Sequence, residues 1–84
     1  MSAGRILIVD DEPQIRRIMW TALTSAGYEV DASRTGEEAL EKVREYHPDL
    51  VLLDINMPGM GGLAACKGIR VDANVAMILR GRVL

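Results

Sequence analysis

Two aliphatic runs end in acid, and their acids could form a metal-dependent phosphate site. Ile6-Leu7-Ile8-Val9 leads into Asp10-Asp11-Glu12-Pro13, and Leu50-Val51-Leu52-Leu53 leads into Asp54-Ile55-Asn56-Met57-Pro58-Gly59. Short unbroken aliphatic runs, bounded by polar and Pro/Gly signals and separated by helical patterns, predict buried strands of a parallel sheet. In such sheets the working groups stand at the carboxyl ends of the strands. If the two strands are neighbours, Asp10, Asp11 and Asp54 meet at one rim. Three carboxylates resist crowding while ionised unless a cation joins them. A set of oxygen ligands with few carboxylates suits Mg²⁺, which keeps sites for water and phosphate. The competing reading of Asp10, Asp11 and Glu12 is helix capping, since acids suit a helix N-terminus. Capping accounts for one of these acids but not for Asp54 at the matching end of another strand.

The elements that must position these acids alternate along the chain. Ile15, Ile18, Met19, Ala22, Leu23 and Ala26 recur at helical spacing and predict an amphipathic helix ending at Gly27. Tyr28 to Ala32 reads as a second strand. Thr35-Gly36-Glu37-Glu38 has the pattern of a capping box, opening a helix whose inner face is Ala39, Leu40 and Val43 and which stops before Pro48. Asp49 to Leu53 is the third strand. A third helix is expected from about Gly62 to Arg70, weakened by the interior Gly68, which costs about 1 kcal/mol relative to Ala. Val75 to Leu79 completes the alternation as a fourth strand. The βαβαβαβ order implies right-handed crossovers and an α/β fold with a parallel sheet.

Composition bounds the rest. At 84 residues and 49% hydrophobic, the chain reads as one small globular domain, not a disordered tail. Its formal net charge of −2 offers no general attraction to nucleic acid or to an anionic membrane. No run is long enough to span a membrane, so a cytoplasmic address is expected. The single cysteine, Cys66, cannot form an intramolecular disulfide and reads as a small buried hydrophobe. His47, ahead of Pro48, reads as a solvated loop residue. Trp20 falls out of phase with the first helix's apolar stripe, which suits an exposed residue or one that meets a partner.

Taken together, Ile6 to Glu12, Gly27-Tyr28-Glu29-Val30, Gly36-Glu37-Glu38-Ala39-Leu40 and Pro48 to Met60 resemble the amino-terminal part of a response-regulator receiver domain of two-component signalling. The resemblance implies the doubly wound, flavodoxin-like fold, for which a receiver is a standard example, with strand order 2-1-3-4 in the part present. It implies that residues 1–84 form a single receiver domain truncated after strand four. By the same resemblance, Asp54 is the phosphoacceptor, Asp10 and Asp11 hold Mg²⁺ (or Mn²⁺) together with Asp54, and Asn56 contributes its backbone carbonyl. The partner implied is a sensor histidine kinase or phosphotransfer protein. The module is a phosphoacceptor, not a turnover enzyme, and makes no direct contact with nucleic acid or membrane.

The sequence also departs from the pattern it resembles. Receivers carry Ser or Thr at the end of strand four, where this chain offers Arg80 or Gly81, and no Ser or Thr follows Thr35. They carry a Lys at the end of strand five, whereas no Lys follows Lys67 here. Gly61 stands where an acid is usual. Phosphorylation, if retained, is therefore expected to be slow. A second reading is a signalling-incompetent receiver fragment that acts as a folding or oligomerising module. A phosphatase of the haloacid dehalogenase type is a third, but Asp10-Asp11-Glu12-Pro13 lacks its Asp-x-Asp pattern. An uncovered apolar sheet face or an open strand-four edge would favour a homo-oligomer.

Overall fold

A computed structural model of the chain describes residues 3–54, 67–68 and 76–80. The element order is β1 (Arg5–Val9), α1 (Pro13–Ser25), β2 (Glu29–Ser33), α2 (Gly36–Tyr46), β3 (Leu50–Asp54) and β4 (Ala76–Arg80). The strands form one parallel sheet in the order β2-β1-β3-β4. This is the flavodoxin-like order expected of the chain.

The aliphatic run of β1 is explained by its place in the sheet. It pairs on both edges, with Leu7 opposite Val51 and Val9 opposite Leu53 on one side and Ile8 opposite Ala32 on the other. Alternation sends Leu7, Val9, Val51 and Leu53 to one face, where they form a closed cluster with Ala39 and Val43 of α2, and Leu40 packs against it. The opposite face receives Ile6 and Ile8 from β1, and both are buried.

The helix ends follow local chemistry. Pro13 sits in the first turn of α1, where its missing N–H is no loss. The helix closes on Gly27, which has φ 98°. Gly27 N–H donates to the Thr24 carbonyl at 3.0 Å and Tyr28 N–H to the Leu23 carbonyl at 3.1 Å, the paired bonds of a Schellman turn. Because Tyr28 is used in this closure, β2 starts at Glu29, one residue later than the sequence pattern suggests. α2 opens as expected, the Thr35 hydroxyl accepting the Glu38 N–H at 3.1 Å. It ends at exposed His47, whose backbone is left-handed at φ 53°, followed by Pro48.

The apolar stripe of α1 is only partly covered: Ile15, Met19 and Leu23 are half-buried, no residue of α1 is fully buried, and Ile18 keeps 64% of its surface in solvent. The backbone of α1 lies against β2 and β1 and not against β3. Trp20, out of phase in the sequence, is 41% exposed.

Of the predicted third helix, Lys67 and Gly68 fall among the described residues and are helical. A Cβ on Gly68 would lie 2.8 Å from the Leu40 Cδ2. Gly68 therefore allows a close approach to α2, a benefit that its helix propensity conceals. Cys66 lies outside the described residues.

Candidate metal and phosphate site

The pairing of Val9 with Leu53 carries the next residue of each strand, Asp10 and Asp54, to the same carboxyl rim. There the carboxylates of Asp10, Asp11 and Asp54 each offer an oxygen, and these oxygens lie within 4.8 Å of one another. Asp10 and Asp54 are buried, at 2% and 4% exposure, and Asp11 is half-buried. The structure thus brings together the three acids singled out in the sequence. Asn56 lies outside the described residues.

Backbone bonds hold Asp10 in place. Its N–H donates to the Ser33 carbonyl at 3.1 Å, which ties the rim to β2. Its Oδ1 accepts the Glu12 N–H at 2.9 Å, turning the chain into α1. The Arg16 guanidinium donates to the Asp10 carbonyl at 2.8 Å from the first turn of α1. Glu12 is the helix N-cap, but its side chain makes no capping bond. The capping alternative therefore does not hold for that acid. The supporting roles of Arg16 and the Ser33 carbonyl have little signature in the sequence, because one is a common surface residue type and the other acts through its backbone.

Whether these residues suit a cation can be judged from Asp11. Its Oδ1 is buried and has no hydrogen-bond partner among the described residues. A buried carboxylate oxygen left without a proton donor is costly in a protein interior, and a hard cation satisfies it. The donor set is all oxygen, as Mg²⁺ requires. The fit is good.

A family profile, the response regulator receiver domain, matches residues 6–80. The chain belongs to the response regulator receiver family. Among curated relatives, it is 47% identical over 75 residues to a probable transcriptional regulator, ycf27, of Pyropia yezoensis, covering 89% of this chain and 31% of the relative. It is 40% identical to the DNA-binding response regulator MtrA of Mycolicibacterium smegmatis, covering 89% of this chain and 33% of the relative. The chain thus spans about a third of the length of the curated relatives it matches. Among solved structures, the response regulator TrrA of Thermotoga maritima, in complex with Mg²⁺ and BeF, superposes with a TM-score of 0.87 at 45% identity, covering 96% of this chain and 70% of that one. A receiver domain of Methanoculleus marisnigri superposes with a TM-score of 0.89 at 37% identity, covering 93% of this chain and 66% of that one.

β4 runs one residue further than the sequence pattern suggests, and Arg80 lies opposite Asp54 in the register. Among the described residues no helix is long and apolar enough to cross a membrane.

Proposed function

We propose that this receiver accepts a phosphoryl group on Asp54 from the phosphohistidine of a sensor kinase or phosphotransfer protein. The observation that carries this reading is the convergence of the Asp10, Asp11 and Asp54 carboxylate oxygens within 4.8 Å at the carboxyl rim of the sheet. An Asp54 carboxylate oxygen forms the new bond to phosphorus as the phosphorus–nitrogen bond to the imidazole breaks, and the leaving nitrogen keeps the electron pair. Asp10 and Asp11, with Asp54 and the Asn56 carbonyl, would hold Mg²⁺ or Mn²⁺. The cation would offset charge on the phosphoryl oxygens, since such transfer depends mainly on positioning and electrostatics. The burial of Asp54 limits access by bulk water, which favours a defined approach by the donor.

The chain is read as a phosphoacceptor module without turnover and with a cytoplasmic address. The 84 residues are also read as making no direct contact with nucleic acid, since their net charge of −2 offers no general attraction to it.

Incubation with acetyl phosphate and Mg²⁺, followed by intact mass measurement, tests the reading. One phosphoryl adduct is expected on the native chain and none on Asp54→Asn. An adduct that persists in Asp54→Asn would contradict the assignment.

A further inference from the structure

β2 is an outer strand of the sheet, and its ladder with β1 fixes which of its backbone groups face outward. The Glu29 N–H donates to the Gly4 carbonyl and the Ser33 carbonyl accepts the Asp10 N–H, so Glu29, Asp31 and Ser33 turn their backbone groups toward β1. The alternate residues, Val30 and Ala32, turn theirs away from the sheet. An outward row of this kind is a template for a further strand.

At Ala32 both outward groups are already engaged. Its N–H donates to Asp31 Oδ1 at 2.8 Å, and its carbonyl accepts from Lys42 Nζ of α2 at 2.9 Å. Lys42 Nζ also donates to Asp31 Oδ1 at 2.9 Å, so the two side chains close a ring over one residue of the edge. They keep 30% and 34% of their surface in solvent, and an ion pair this exposed adds little to the stability of a fold. Its consequence lies at the edge, where a charged side chain, lysine above all, is a natural obstacle to strand addition. We propose that the Asp31–Lys42 clasp locks the β2 edge against strand addition by a second copy of this chain. Self-association is thereby confined to other surfaces of the molecule, and breaking the clasp opens an additional route. The lock is independent of the phosphoacceptor reading, because neither Asp31 nor Lys42 belongs to the acid rim.

Sedimentation velocity over a concentration series tests the lock in the full 84-residue chain, with circular dichroism to establish that each variant is folded. Lys42→Met frees the Ala32 carbonyl and Asp31→Ala frees the Ala32 N–H. Each should associate at about tenfold lower concentration than the native chain and form larger species. Val30→Pro removes an outward N–H without touching the ladder to β1, and proline is tolerated on such an edge. Added to Lys42→Met, it should restore the native behaviour. Native sedimentation of folded Lys42→Met and Asp31→Ala overturns the proposal. So does enhanced association that persists in the variant carrying both Lys42→Met and Val30→Pro, since assembly would then run through another surface. If that double variant fails to fold, Lys42→Arg decides: the cation is kept, so association within about twofold of the native chain supports the lock, and association like that of Lys42→Met overturns it.

Discussion

Asp11 differs from its two neighbours at the rim in being half-buried and in having an oxygen that no described residue satisfies. That makes it the acid whose removal should separate metal binding from folding. Without Mg²⁺, Asp11→Asn should be at least as stable as the native chain, because it takes one charge out of a crowded acid cluster. With Mg²⁺ the order should reverse. Loss of outer-shell partners of a metal ligand alone costs about 10–100-fold in affinity, so loss of a direct ligand should cost at least that much. Thermal melts with and without Mg²⁺ check both signs, and an equal rise in melting temperature for the two proteins would remove Asp11 from the metal site. At the far end of the sheet, burial raises the pKa of the Tyr46 phenol above its ordinary 10.0, and the nearby Glu29 and Asp31 add to the effect. A raised folded-state value favours the protonated phenol. The stability linked to it is thus complete below the unfolded value and is lost as pH rises through the folded one. The Tyr46 hydroxyl is also buried with no partner among the described residues. Tyr46→Phe should therefore be neutral or slightly stabilising near pH 7, by up to about 1 kcal/mol, and should blunt the alkaline loss of stability. Urea midpoints measured from pH 7 to pH 11 would show it, and a clear loss at neutral pH would mean that the hydroxyl has a partner.

The elements show which signals the sequence carries and which it does not. β1, β3 and the Thr35 cap are legible because each is written in adjacent residues: an aliphatic run, or a hydroxyl three positions ahead of the N–H it accepts. The acid triad is legible for the same reason, since strand ends and strand adjacency suffice to bring Asp10 and Asp54 together. How far α1 is covered is not legible. Periodicity identifies an apolar face, but only packing decides what covers it, and the backbone of α1 lies off β3. Likewise Ser33 lies one residue past the strand expected to end at Ala32, yet it is fully buried and its carbonyl steadies Asp10. Gly27 is a case where sequence and structure agree and a measurement can decide. Its φ of 98° lies outside the range that L side chains adopt comfortably, and it completes the Schellman bonds that end α1. Space is not the obstacle, because nothing lies within 4 Å of an added Cβ. Gly27→Ala should thus cost only the backbone term, about 1–2 kcal/mol. For a domain of this size that corresponds to a fall in melting temperature of about 4–16 °C. A variant that melts with the native protein would mean that the turn relaxes to a negative φ.

At the scale of the whole molecule, the two faces of the sheet differ in cover. The α2 face closes into a cluster in which Leu7, Val9, Val51 and Leu53 are nearly solvent-free. On the other face an apolar groove of about 350 Å³ runs along the amino-terminal half of the sheet, lined by Ile6, Leu23, Tyr28, Leu50 and Leu52. Ile18, Trp20 and Tyr28 are the large hydrophobic residues left exposed among those described. β4 is also an outer strand of the sheet. Fully burying a large aliphatic side chain gains about 1.5–3 kcal/mol over leaving it in water, and a small domain has only a few kcal/mol of net stability. The isolated 84-residue chain should therefore self-associate, either across this groove or along the β4 edge. Sedimentation equilibrium at low micromolar concentration should report a dimer or larger species. The two modes can be told apart by substitution: Leu23→Glu together with Tyr28→Glu should weaken association through the groove, whereas pairing along β4 should survive it. A cooperatively unfolding monomer at these concentrations would refute both modes and would mean that the chain shields its second face by itself.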